Sequence, residues 1–148
     1  EAGLHVVAHA GETVGTPCIV GSLDALGAER IGHGFLALKD PALTERLRET
    51  QVPLEICPQS NYRVGVVPEG EQHPIFGLRE AGVYCTVNSD DPAMFETDIN
   101  KEYVTLAEQG MNWDQLWSLN LATLEATFAG DADKRALREQ WNEFKTPV

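Results

Sequence analysis

The stretch that decides the fold is residues 30–57, RIGHGFLALKDPALTERLRETQVPLEIC. Its first four residues predict a short β-strand, and the Asp40-Pro41 pair predicts the start of a helix, since proline suits a first helical turn. Residues 53–57 predict a second strand after that helix. Strands joined through a helix favour parallel pairing, because the crossover returns the chain to the same end of the sheet.

The same alternation continues on both sides of this stretch. The further predicted elements are a strand at 4–9, a helix from Thr16-Pro17 to Gly27 with Thr16 as N-cap, a loop at 58–72, a helix from His73-Pro74 to Gly82 and a strand at 83–87. Beyond Asp91-Pro92 only helices are predicted, over 100–108, from Asn112 with Gln115 completing a capping box, and over 133–144 with Phe144 on the apolar side. The chain therefore predicts four strands followed by terminal helices.

This pattern defines an α/β fold with a parallel sheet. Two architectures fit it, half of an eight-stranded (β/α)8 barrel or a small doubly wound sheet. A whole barrel takes about 250 residues, whereas this chain has 148. The secondary structure alone does not choose between them, and we treat residues 1–148 as one domain.

Composition and charge exclude several functions. The chain carries 11 basic and 23 acidic residues, a net charge of −12, which repels phosphate backbones and argues against nucleic-acid binding. The cysteines Cys18, Cys57 and Cys85 are far apart and form no CxxC pair, so we expect reduced thiols and no cysteine-based zinc site. Since neither a membrane-spanning apolar run nor a leader is present, we expect a cytoplasmic protein without membrane contact.

The chain begins without Met, at Glu1, and reaches a predicted strand within three residues. Natural domains rarely start so abruptly. This beginning indicates a fragment of a longer protein, whose own leader could be missing.

Each predicted strand ends in a polar cluster. These clusters are His9 to Glu12, His33-Gly34, Ser60-Asn61 and Asn88 to Asp91. Active sites of parallel α/β folds lie at the carboxyl ends of the strands, where the loops converge. Imidazole and carboxylate groups are zinc ligands, and of two adjacent carboxylates one can bind a metal while the other binds a substrate N–H.

Each residue also has a plainer interpretation. His9 alone is more often a structural histidine, Glu12 could cap the next helix, and Asp90-Asp91 before proline could form an Asx-type turn. We expect His5 to be a core or supporting residue, because it lies on the same strand face as His9. His73 beside Pro74 is expected to cap a helix.

Four ordered motifs change this balance. They are HAGE at 9–12, RIGHG at 30–34, LEICPQSN at 54–61 and NSDDP at 88–92, and together they resemble the adenosine deaminase family of the amidohydrolase superfamily. The resemblance covers essentially the whole chain. It implies a (β/α)8 TIM barrel, of which this chain would be strands five to eight plus the C-terminal helices, and a hydrolase that replaces a ring amino group of a purine with oxygen from water.

The resemblance also implies roles for particular residues. His9 and Asp90 would bind one Zn²⁺ ion, Glu12 would donate a proton to the purine ring, and His33 would orient and deprotonate the attacking water. Asp91 would hydrogen-bond the purine near N7, with Gly11 also at the substrate. Ser60 and Asn61 would have a structural role or contact the substrate.

One departure from the family pattern is plain. The family uses a His-x-His pair on the first strand, and this chain has histidines only at 5, 9, 33 and 73. Two further His ligands would therefore come from outside the chain, from the missing N-terminal half of the barrel, and the isolated chain is expected to be inactive. The substrate would be a small 6-aminopurine nucleoside or base, with adenine and aminodeoxyfutalosine as alternatives. A non-catalytic α/β binding module is the alternative of another class.

Overall fold

The computed structural model describes residues 3–143. Phe144, which the sequence places on the last helix, lies outside that range. The described elements are, in chain order, β1 Val7–Ala10, α1 Pro17–Asp24, β2 Arg30–His33, a 3₁₀ helix Phe35–Lys39, α2 Pro41–Thr50, β3 Leu54–Ile56, α3 Pro58–Arg63, α4 Ile75–Glu80, β4 Cys85–Val87, α5 Ile99–Glu108, α6 Trp113–Ala126 and α7 Asp131–Asn142.

The four strands form one parallel sheet in the order β1-β2-β3-β4. Sequential order with a helix in each crossover is the arrangement of successive βα units in a barrel wall. The prediction of a four-stranded parallel α/β fold is confirmed. β2 has the predicted bounds, whereas β1, β3 and β4 begin one to three residues later than expected.

Alternation along the strands separates two faces of the sheet. Ile31, Leu54 and Ile56 are fully buried and pack into a core with apolar residues of the helices. The residues between them face the other side, where His9 of β1 pairs in register with Gly32 of β2, and Gly32 with Glu55 of β3. This second face carries the polar groups.

Helix starts follow the local sequence only in part. Asp40 caps α2 by accepting the backbone N–H groups of Ala42 and Leu43 at 3.0 and 3.1 Å, and Asn112 and Gln115 form the predicted capping box of α6. Thr16 is the N-cap residue of α1, as predicted, although its side chain makes no capping hydrogen bond.

The expected loop at 58–72 is wrong in its first part, because residues 58–63 form the helix α3. Proline at its first position is compatible with a helix start. The segment has only six residues and no apolar periodicity that could have predicted it. Among the described residues, no helix is long and apolar enough to cross a membrane.

Candidate active site

Three predicted site residues meet at the carboxyl ends of the strands. His33 Nε2, at the end of β2, lies 3.7 Å from Glu12 Oε2 and 3.7 Å from Asp90 Oδ2. The His9 ring lies beside the His33 ring, with centroids 5.1 Å apart and planes at 78°. Two imidazoles and two carboxylates from three separate strand ends thus surround one space.

That space is the mouth of a cavity of about 490 Å³ on the polar face of the sheet, lined by His9, His33 and Asp90 among others. Both carboxylates are partly exposed, with side-chain exposures of 23% for Glu12 and 22% for Asp90, and of the two Asp90 lines the cavity. His33 is 1% exposed, so only its reactive edge meets the cavity. This combination of a buried base and accessible acids suits proton transfer to a small bound molecule.

Gly32 makes room for His9. A Cβ atom on Gly32 would lie 2.8 Å from His9 Cδ2, closer than a real contact allows. The imidazole therefore rests directly on the neighbouring strand. Any side chain at position 32 would push His9 away from His33.

His33 and Asp90 both adopt left-handed backbone conformations, with φ of 61° and 57°. In a regular strand, His33 would follow Ile31 towards the helix-packed core, because alternate residues share a face. The left-handed turn ends that alternation, so the ring edge reaches Glu12 and Asp90. Non-glycine residues in this region are strained, and such strain is common at functional sites.

Ser60 fixes the position of Asp90. Its hydroxyl donates a 2.6 Å hydrogen bond to Asp90 Oδ2, and its side chain is fully buried in α3. The sequence left Ser60 with either a structural or a substrate role. The hydrogen bond gives it the first of these, as the residue that orients the carboxylate after β4.

A buried chain of side chains runs behind His33. Asn61 Nδ2 lies 3.2 Å from His33 Nδ1, and Asn61 Oδ1 lies 3.1 Å from His73 Nε2. His73 Nδ1 accepts the backbone N–H of Ile75 at 3.1 Å. His73 thus caps the start of α4 as predicted, but it also supports the site from below, which the sequence did not predict.

Glu102 is a second residue that the sequence missed. It is fully buried in α5, where it accepts the Gln59 backbone N–H at 2.9 Å and the Thr97 hydroxyl at 2.6 Å. Burial raises the pKa of Glu102. The carboxylate holds the first turn of α3, the helix that carries Ser60 and Asn61, and nothing in the spacing of α5 indicates which face points there.

The His5 prediction is wrong. The side chain is 51% exposed, donates from Nδ1 to Glu29 Oε2 at 2.9 Å and stacks on Phe128 with ring centroids 3.8 Å apart. It precedes β1, whereas His9 lies at the other end of that strand. Sharing a strand face with His9 therefore did not bring His5 to the site.

Asp91 and Gly11 follow the ends of β4 and β1, but neither lines the cavity. Asp91 is exposed, and its Oδ1 accepts the Met94 backbone N–H at 2.8 Å, which forms the Asx-type turn that the sequence allowed. Gly11 has a φ of 68°, and a Cβ there would lie 2.4 Å from Ile19 Cδ1. Packing against α1 is therefore a sufficient reason for glycine at this position.

Electrostatics keep the buried groups neutral. Burial lowers the pKa of His33, and this effect exceeds that of the Glu12 and Asp90 carboxylates, which raise it. Burial and the nearby Asp90 raise the pKa of Cys57. Cys57 therefore stays a neutral thiol, although the thiolate is the form that binds metals.

The donor set fits a borderline divalent cation. Within residues 3–143, one group of three possible ligands lies within 4.8 Å of one another, namely His33, Cys57 and Asp90. Because Cys57 is a neutral thiol, this trio is a poor site by itself. Imidazole from His9 and carboxylate from Asp90 are the chemically suitable pair, and both line the same cavity.

A parallel α/β sheet whose strand tips present imidazole and carboxylate groups to one cavity has the arrangement of active sites in parallel α/β folds. The chain belongs to the adenosine deaminase family, whose model matches residues 1–144. This membership confirms the resemblance found in the four sequence motifs.

Relatives with different substrates match nearly the whole chain. It is 43% identical over 144 residues to an aminodeoxyfutalosine deaminase of Streptomyces coelicolor, covering 97% of this chain and 37% of the relative. It is 39% identical over 138 residues to an adenine deaminase of Rhizobium leguminosarum bv. trifolii, covering 93% and 43%. The crystal structure of an adenine deaminase from Arthrobacter aurescens superposes with a TM-score of 0.93 at 35% identity, covering 97% and 44%.

The chain thus spans about two fifths of the length of these relatives. The relatives are purine deaminases, hydrolases that act on C–N bonds, and this chain corresponds to part of such an enzyme.

Proposed function

We propose that the complete protein containing this chain is a zinc-dependent hydrolase that deaminates a 6-aminopurine nucleoside or base and releases ammonia. The chain would supply strands five to eight of its barrel and the terminal helices. The observation that carries the proposal is the meeting of His33 Nε2 with Glu12 and Asp90, each at 3.7 Å. Such a site needs a base, an acid and a ligand within reach of one small molecule.

His9 and Asp90 would hold the zinc ion, together with two histidines from outside the chain. A bound zinc lowers the pKa of water to about 7, which supplies hydroxide at neutral pH. The hydrogen bond from Ser60 and the close packing of His9 on Gly32 support this assignment, because ligands need fixed orientations.

The amino-bearing carbon of a purine is a poor electrophile, and we assign Glu12 and His33 to its activation and attack. Glu12, beside the cavity, would donate a proton to the ring nitrogen next to the amino-bearing carbon, which makes that carbon a better acceptor. His33, whose Nε2 faces both carboxylates, would orient the attacking water. Acid–base assistance of this kind contributes about 10²–10⁴-fold to a rate.

Asp91 and Gly11 would contact the purine, as the family resemblance implies. The turn that Asp91 makes with Met94 supports this role, because it holds the carboxylate in place before substrate arrives. The acidic chain suits a neutral or cationic small molecule, and we expect neither nucleic acid nor membrane as a partner.

Adenosine, adenine and aminodeoxyfutalosine are all compatible substrates, because the relatives named above are adenine and aminodeoxyfutalosine deaminases and the matching family is that of adenosine deaminase. The test is a substrate panel on the complete protein, with ammonia release measured before and after removal of zinc by a chelator. The proposal predicts turnover of one of these purines that is lost on chelation and restored by added zinc. Binding of a purine without ammonia release would favour the non-catalytic module instead, and the isolated 148-residue chain is expected to show no turnover.

A further inference from the structure

His33, Asn61 and His73 form a hydrogen-bonded series with one donor-to-acceptor direction. The backbone N–H of Ile75 sets that direction. At the far end of the series the Ile75 N–H can only donate, so His73 Nδ1, 3.1 Å away, must accept. A neutral imidazole with one accepting nitrogen carries its proton on the other. His73 Nε2 is therefore the donor towards Asn61.

This result fixes the orientation of the Asn61 amide. His73 Nε2 lies 3.1 Å from one end of the amide, which must be the carbonyl oxygen because it receives a proton. The amide nitrogen then faces His33 Nδ1 at 3.2 Å. The reverse orientation would require His73 to accept at both ring nitrogens, which a neutral ring cannot do.

Burial supports a neutral His73. The side chain is 1% exposed, and burial together with the nearby His33 lowers the pKa of His73 to about 3. A charged ring would donate at both nitrogens and would leave the Ile75 N–H facing another donor. The donor-to-acceptor direction of these hydrogen bonds therefore holds at neutral pH.

We propose that Asn61 and His73 are positioning residues that hold neutral His33 in one tautomer, with Nδ1 unprotonated and the proton on Nε2. The other end of the chain agrees with this assignment, because Nε2 faces the carboxylates of Glu12 and Asp90. In this resting state Nε2 carries the proton, so His33 presents a donor to the cavity and orients the attacking oxygen by donating to it. This role replaces the deprotonation of water that the family resemblance implied for His33. The catalytic meaning of this tautomer rests on the proposed function, whereas the position of the proton on the His33 ring does not.

The test uses the complete zinc-loaded protein with isotope-labelled histidine. Ring ¹⁵N resonances distinguish a protonated from an unprotonated nitrogen, and a His33→Gln variant assigns the signal. We expect the proton on Nε2 in the unmodified protein at a pH where His33 is neutral. A proton on Nδ1 would overturn the inference.

The Asn61→Asp variant tests whether the Asn61 amide sets the tautomer of His33. The substitution keeps the shape but replaces the amide donor with an acceptor, so the proton of His33 should move to Nδ1. We expect kcat to fall about 10²-fold or more with little change in KM and with zinc retained. The matched control is Gln72→Glu, the same charge change on the surface beside His73, which should leave both the tautomer and kcat unchanged.

If Asn61→Asp does not fold, His73→Phe provides the second variant. It removes the donor that fixes the Asn61 amide, so both tautomers of His33 should be populated. A pure Nε2–H form in either variant would show that Asn61 and His73 do not control the tautomer of His33. Turnover is recorded beside every spectrum, so that an Nε2–H protein without deaminase activity would overturn the proposed function alone, and an active enzyme with Nδ1–H would overturn this inference alone.

Discussion

Ser60 Oγ and Asp90 Oδ2 lie 2.6 Å apart and join the helix after β3 to the loop after β4. The same Asp90 oxygen faces His33 Nε2 at 3.7 Å, so one buried hydroxyl orients a group shared by two strand ends. The left-handed backbone at Asp90 is held in part by this bond.

Replacing Ser60 with Ala should weaken zinc binding without unfolding the protein. Loss of a hydrogen bond to a ligating carboxylate typically costs about 10–100-fold in metal affinity. The measurement is the zinc dissociation constant of the complete protein by competition with a chelator. Ser118→Ala, on the exposed side of α6, is the control, and equal zinc affinities for the two variants would contradict the role of Ser60.

The two adjacent aspartates should separate into different tasks. Asp90→Ala should deplete the complete protein of zinc, whereas Asp91→Ala should retain it and raise KM, because Asp90 lies at His33 and Asp91 is proposed to contact only the purine. Zinc content by elemental analysis and steady-state kinetics check the two outcomes. Stoichiometric zinc in Asp90→Ala would count against its role as a ligand.

The repeating units of the fold could be read from local signals. The Asp40-Pro41 and Asn112–Gln115 starts and the short apolar strands depend on neighbouring residues, so the sequence sufficed for them. The helix α3 depends on Glu102, which is 43 residues away and accepts the Gln59 N–H. No local pattern contains that contact.

The candidate site likewise has features that the sequence predicted and features that depend on the folded chain. The motifs predicted that His33, Glu12 and Asp90 meet, but not the left-handed backbone that turns His33 towards the carboxylates. His73 was predicted from Pro74 as a helix cap, and its second contact, with Asn61, exists only in the folded chain. Burial of a polar residue is decided by tertiary packing, which also explains why His5 was misplaced.

His73 should make the protein less stable in mild acid. Its pKa is about 3 in the folded protein against an ordinary value of 6.5, so between these values the unfolded chain binds one more proton. Stability contributed by the neutral ring is therefore present above pH 6.5 and is lost as pH falls towards 3. From pH 7.5 to pH 5 this amounts to about 2 kcal/mol of unfolding free energy.

Urea unfolding of the metal-free complete protein at these two pH values measures the effect. His73→Gln, which can still accept the Ile75 N–H, should lose less stability over this interval than the unmodified protein. His5→Gln, at an exposed histidine, serves as the control. An identical loss in the unmodified protein and in His73→Gln would show that His73 is not the titrating group.

The most direct test of a zinc site with a separate acid is Glu12→Gln in the complete protein, with zinc content and ammonia release measured on the same sample. Gln keeps the shape but cannot give up a proton to the ring, so we predict full zinc occupancy with turnover reduced about 10²–10⁴-fold, while Glu69→Gln on the surface stays active. Turnover close to that of the unmodified enzyme, with zinc bound, would contradict the account.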